Sequence, residues 1–443
     1  NLQIALDAYL SEPDRRFALV GIGIENKRFM EFGLSDLLSW SGQSGRSALK
    51  EGPVDYINFH LANDRILPCV NLGLYLIEDG QTHLAVLVAG PSEHGPQQKL
   101  RVEVMSNRPE EGQAFLVELT HGMRRLNVYR GHCISLSPGQ MGPGRHTLIA
   151  FHTVRDVTRN DVVLPDGVLE RIERQTIVFG DNVDRLRAAG QSLKRGLLLY
   201  GPPGVGKTLT VQYLIGRMPG RTVLLTTGLG MGLLQPVMQQ ARALAPAMVV
   251  LEDVDLIAEE RGMPFGHSGP LLFELLNEMD GLQDDSDVIF VLTTNRPDIL
   301  EPALAARPGR IDLAVELPLP DVTARRRLLH LYARDLDLKD VDLNAIAERI
   351  EGATTAYIKE LLRKAVVLAA SESGPVIVTG AHVETALSEL GDGGRLAQRL
   401  LGLHTEEQAA GVMDSTRGGR SMVSGFPAGE WSGHVSPATS RRP

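Results

Sequence analysis

The segment Gly201-Pro202-Pro203-Gly204-Val205-Gly206-Lys207-Thr208 constrains this chain more than any other. It fits G-x-x-x-x-G-K-[ST], the pattern of a loop that cradles phosphates. On its own, a glycine-rich turn with one lysine is unremarkable, so the setting matters. Residues 195–200 read Arg-Gly-Leu-Leu-Leu-Tyr, a short apolar run suited to a buried parallel strand. Residues 209–218 carry apolar side chains at a helical period. A strand, a glycine loop and a helix therefore follow one another. The glycines let backbone N–H groups converge on phosphates, and the helix N-terminus adds its partial positive charge. Residues Gly201, Pro202, Pro203, Gly204, Val205, Gly206, Lys207, Thr208 and Leu209 are the expected nucleotide contacts. Lys207 is expected to reach the β- and γ-phosphates and Thr208 to ligate Mg²⁺, which makes ATP and Mg²⁺ the expected cofactors.

A second apolar run, Met248-Val249-Val250-Leu251, ends in Glu252-Asp253-Val254-Asp255. Phosphoryl transfer needs positioning and charge rather than covalent help, so paired acids at a strand end suit it. Glu252 is assigned to the magnesium and Asp253 to the attacking water. Asp253 is one methylene shorter than a glutamate, so its water must lie closer to the backbone. A third run, residues 288–292, leads into Thr293-Thr294-Asn295-Arg296-Pro297. Asn295 can there bridge the γ-phosphate and the water. Downstream stands Arg307-Pro308-Gly309-Arg310-Ile311-Asp312, which alone would be an ordinary exposed turn.

Together these motifs, with Leu-Leu-Asn-Glu-Met-Asp-Gly-Leu at 275–282, make residues 160–390 resemble the AAA+ ATPases, and within them the AAA clade. The resemblance implies a P-loop NTPase core with a parallel sheet and an all-helical lid subdomain. It implies that Asn295 is sensor 1, and that Arg307 and Arg310 are finger arginines reaching a neighbour's site. It therefore implies a homo-oligomeric ring, with a hexamer as the expected size. The order Glu252 then Asp253 reverses the common one and looks like the Bcs1 group. Most of the clade grips polypeptide with an aromatic residue in the stretch before the acids. Here that stretch is Thr226-Thr-Gly-Leu229-Gly-Met231-Gly-Leu-Leu234, without an aromatic. Leu229 and Met231 offer only a softer apolar contact. Gly352-Ala353-Thr354-Thr355 aligns with the sensor 2 region, and Thr354 or Thr355 is a helix N-cap.

Composition bounds the alternatives. The 443 residues allow two or three domains, and 43% apolar content supplies their cores. A net charge of −9 disfavours action on nucleic acid. Two cysteines, Cys69 and Cys133, read as buried structural thiols of a reducing compartment. No apolar run reaches the roughly 18 residues of a membrane span, so the expected location is cytoplasmic. No His-Glu-x-x-His occurs, which argues against a fused zinc protease.

Residues 1–128 read as an N-terminal α+β or mostly-β module, helical at 2–10 and strand-like at 17–24, 56–61, 70–77, 84–88, 100–105 and 114–119. Residues 129–158 read as a connector or last hairpin, 159–319 as the α/β ATPase subdomain and 320–390 as the lid. Residues 391–443 read as a largely disordered tail rich in Gly, Ser, Pro and Arg. The expected function is ATP hydrolysis by a ring that remodels a protein client chosen by the N-terminal module. The alternative is a nucleotide-gated assembly or binding switch without threading.

Overall fold

The computed structural model describes residues 1–23, 33–39, 50–91, 100–138, 147–226, 233–256, 270–281, 283–300 and 310–392. Arg307, Leu229, Met231 and the tail beyond 392 lie outside the described residues.

The N-terminal module is α+β. Its elements are α1 (Leu2–Leu10), β1 (Arg15–Gly23), α2 (Leu34–Ser39), β2 (Lys50–Gly52), β3 (Asp55–His60), β4 (Ile66–Asp79), β5 (Thr82–Ala89), β6 (Arg101–Ser106) and α3 (Pro109–Arg125). The strands form one antiparallel sheet in the order β2-β1-β4-β5-β6, with β3 on the first half of β4. Leu6, Tyr9, Phe115 and Leu119 of α1 and α3 bury against Tyr75, Ile77 and Val86 of the sheet.

Residues 114–119, expected as a strand, lie inside α3. The local run Ala-Phe-Leu-Val-Glu-Leu fits either period. The flanks decide for a helix, with Pro109 at the start, Glu110 and Glu111 in the first turn, and Arg124 and Arg125 in the last. Gly112, Phe115 and Leu119 recur at helical spacing on the buried side.

The second sheet runs through β7 (Cys133–Pro138), β8 (Thr147–His152), β9 (Arg195–Tyr200), β10 (Thr222–Thr226), β11 (Ala247–Leu251), β12 (Val288–Thr294) and β13 (Leu313–Glu316). Its order is β13-β9-β12-β11-β10-β7-β8, parallel except for β8. Residues 129–158 thus add two strands to the core sheet, with Tyr129 stacked on Phe151 beside them. The interior strands are buried on both faces, as continuous apolar runs require. Crossover helices cover them: α4 (Val168–Glu173), α5 (Phe179–Asp181), α6 (Val183–Ala188), α7 (Lys207–Arg217), α8 (Leu234–Ala243) and α9 (Pro270–Asp280). Leu234, Met238, Leu276 and Met279 pack one face, and Ile172, Phe179, Val211 and Leu214 the other.

The lid contains α10 (Val322–Ala333), α11 (Leu343–Arg349), α12 (Thr355–Ala370) and α13 (Gly380–Asp392) around Leu328, Leu329, Ile358, Leu361 and Leu390. It also holds a two-residue parallel pairing, β14 (Leu338–Lys339) with β15 (Val378–Thr379). Side chains cap three of its helices: Asp321 on Ala324 N, Asp342 on Asn344 N and Ala345 N, and Thr354 on Tyr357 N. Cys133 is buried, and burial pushes its thiol up to about 11, whereas Cys69 on β4 is only partly buried.

Candidate active site

The phosphate loop leaves β9 at Tyr200 and enters α7 at Lys207. Gly201, Gly204 and Gly206 have φ of +147°, +81° and +105°, values an L side chain rarely adopts. A Cβ on Gly201 would stand 2.2 Å from Leu317 O, so the backbone just after β13 also forbids one there. At Gly206 a Cβ would meet nothing within 4 Å, so the backbone there faces open space. Val205 is buried, Pro203 and Thr208 are exposed, and Leu209 is partly buried against the core.

Lys207 is buried, at 7% exposure. Its Nζ donates to Gly201 O (2.8 Å), Pro202 O (2.9 Å) and Asn295 Oδ1 (2.8 Å). Burial pulls its pKa down to about 8, opposed by the charges of Asp253 and Asp255. Asn295 also donates from Nδ2 to Asp253 Oδ1 (3.2 Å), so one amide joins lysine and acid. β11 and β12 are neighbours, and this pairing brings the ends of both runs together. Asp253 has φ +50°, left-handed for a residue with a Cβ. Such strain costs on the order of 1–3 kcal/mol and gathers at functional sites. Its N–H donates to Thr293 Oγ1 (3.1 Å). Glu252 is half-buried, its N–H donating to Thr226 O (3.1 Å). Asp255, given no role from the sequence, accepts from Thr294 Oγ1 (2.7 Å) and Asn295 N (3.1 Å).

Two further features escaped sequence reasoning. The backbone N–H of Ala356 in α12 donates to Gly204 O (3.0 Å), seating the lid on the phosphate loop. Beside α7, a cavity of ≈ 110 Å³ is lined by Val157, Asp161, Leu209, Leu331, Tyr332 and Lys359, among others. Its walls are mixed, with Arg155, Asp161, Arg334 and Lys359 beside the apolar side chains. Arg334 of the lid closes one side through Asp161 (3.1 Å). These residues come from segments far apart in the chain, and no local pattern links them.

Arg310 lies away from this site. Its carbonyl approaches Gly196 at the opposite end of β9 from the phosphate loop, and its guanidinium pairs with Asp280 of α9.

The residues fit a phosphate chain, with positive-φ glycines, open space before Gly206 and a buried ammonium. Among the described residues, no group of three or more His, Cys, Asp or Glu is placed to hold a metal. Thr208 with one carboxylate is the sparse donor set of a Mg²⁺ whose remaining ligands are substrate phosphates and water.

Residues 197–319 match the family described as "ATPase family associated with various cellular activities (AAA)". The chain is 31% identical over 299 residues to the ATP-dependent zinc metalloprotease FtsH of Mycobacterium tuberculosis, covering 64% of this chain and 39% of that protein. It is 35% identical over 253 residues to ATP-dependent zinc metalloprotease FtsH 3 of Synechocystis sp., covering 52% and 41%. Against the FtsH of Thermus thermophilus it is 35% identical over 229 residues, covering 49% and 36%. The chain thus spans about two fifths of the length of these relatives. Its core is an AAA ATPase domain of the P-loop α/β fold, a domain that hydrolyses ATP with Mg²⁺.

Proposed function

We propose that this chain couples ATP hydrolysis to the remodelling of a protein client, as a homo-oligomeric ring whose N-terminal module selects the client. The observation that carries the catalytic part is the junction at Asn295, bonded at once to Lys207 and Asp253 beside the phosphate loop. Mg·ATP supplies the transferable phosphoryl group and the cation that neutralises its charge. Lys207 exchanges its carbonyl partners for phosphate oxygens. Thr208 and Glu252 hold the magnesium. Asp253 accepts the proton of the attacking water, and Asn295 orients it. Arg307 and Arg310 act on a neighbouring subunit's site. The client role is supported by the β3–β4 ribbon, where Tyr56, Ile57, Phe59 and Ile66 are 39–54% exposed. Clustered exposed apolar side chains mark interaction surfaces.

The second reading, a nucleotide-gated switch, is favoured by one observation: residues 226–234 carry no aromatic to grip polypeptide. Client processing that scales with steady ATP turnover separates the two. The catalytic assignment is tested by Asp253→Asn. Its Kd for Mg·ATP should stay near wild type while turnover falls about a hundredfold or more. Equal turnover would move the base to another residue, with Glu252 next in line. A pull-down with the same variant and ATP should retain the client.

A further inference from the structure

We infer that Asp255 is a positioning residue for ATP hydrolysis, holding Asn295 by its backbone so that the side-chain amide joins Lys207 to Asp253. The inference rests on the reading of Asn295 as the partner of Asp253. β12 ends at Thr294, and beyond it the N–H of Asn295 has left the strand ladder. A buried N–H without a partner is costly. Asp255, itself only 5% exposed, supplies that partner from the helical turn that follows β11. The same oxygen, Oδ1, accepts from Thr294 Oγ1 at 2.7 Å, and Thr294 Oγ1 in turn accepts from Arg296 N at 2.9 Å. One carboxylate oxygen thereby sets the turn on which Asn295 is mounted. The 2.7 Å contact is an ordinary O–H···O hydrogen bond. Asn295 faces two partners at once, so its tolerance for displacement is small. A misplacement of about 1 Å can cost about a hundredfold in rate.

The test uses the full chain and compares Asp255→Ala, Asp255→Asn, Asn295→Ala and the double Asp255→Ala/Asn295→Ala. Amide hydrogen exchange on the nucleotide-free protein is the readout independent of turnover. In Asp255→Ala, exchange at Asn295 and Arg296 should quicken about tenfold or more, through local opening alone. The kcat should fall about thirtyfold to a hundredfold while the Kd for ATP stays within about threefold. Asp255→Asn keeps an acceptor oxygen at Oδ1 and should recover most of both readouts. The double variant should be no more than about threefold slower than Asn295→Ala, because residues acting through one another are not additive. Should Asp255→Ala fail to fold, Thr294→Val removes one of the two bonds to Asp255 together with the acceptor of Arg296 N. Exchange is then read at Asn295 alone, where it should rise, and kcat should fall about threefold to tenfold.

Unchanged exchange in Asp255→Ala overturns the inference, even in a chain with no measurable turnover. Full turnover in Asp255→Ala beside a slow Asn295→Ala overturns it and leaves the site reading intact. Additive slowing in the double variant also overturns it, since Asp255 would then act independently. Wild-type turnover in Asn295→Ala removes the inference and the site reading together.

Discussion

Lys207 is a buried ammonium whose three protein partners are all neutral oxygens, two backbone carbonyls and one amide. That explains why burial outweighs Asp253 and Asp255 and pulls its pKa from 10.5 to about 8. Between these two values the nucleotide-free chain binds fewer protons than its unfolded form, so its stability rises with pH across that window. Nucleotide binding runs the other way, because phosphates need the charge and restore it. The Kd for ATP should therefore rise by up to about tenfold per pH unit above pH 8 or so, with uptake of about one proton. Calorimetry in two buffers of different ionisation enthalpy measures both. A flat Kd from about pH 7 to about pH 9.5 would mean that Lys207 keeps its charge unaided. Asn295 and the acid pair were legible because they directly follow apolar strand runs, and Lys207 because the loop motif puts it at the start of α7. Asp255 and Tyr332 were not, since their partners meet them only when β11 abuts β12 and the lid closes on residues 157–161.

At the scale of elements, the central strands could be read from their apolar runs because burial on both faces removes the alternation that otherwise confuses period. Residues 114–119 failed because six residues cannot separate the two periods when only one face is covered. The strands of 129–158 were visible, but their attachment to β10 was not, since a short ladder leaves no mark in sequence. Thr354 was expected as a cap and accepts from Tyr357 N at 3.2 Å. Thr354→Ala should lower lid stability by about 1 kcal/mol, measured by denaturant unfolding. It should also loosen the seat of Ala356 on Gly204, because the cap fixes the first turn of α12.

For the whole molecule, the question is what one chain lends another. Arg307 lies outside the described residues, and Arg310 stands at the end of β9 remote from its own phosphate loop. A finger arginine is worth about 10³–10⁵ in rate where one has been assigned. Arg307→Ala should bind ATP normally and hydrolyse it very slowly, and Lys207→Ala should not bind it. Mixed, the lysine variant lends its intact Arg307 to the other's intact pocket, so the ATPase rate should pass through a maximum between two inactive parents. A flat line at background, with mixed rings verified by native mass spectrometry, would place Arg307 within its own subunit or outside catalysis.

The hairpin that extends the core sheet has a mechanical meaning. The N-terminal module connects to the core through residues 126–132, which run directly into β7. β7 lies parallel to β10 along Cys133–Ser135 against Val223–Leu225, and β10 leads into the glycine-rich stretch after Thr226. Tension applied to the module along the β7 axis would load this ladder in shear. Hydrogen bonds pulled along that axis share the load like a lap joint, whereas bonds peeled from one end yield in turn. A load carried from a client to this module would reach the strand leading to the glycine-rich stretch through its neighbour's ladder.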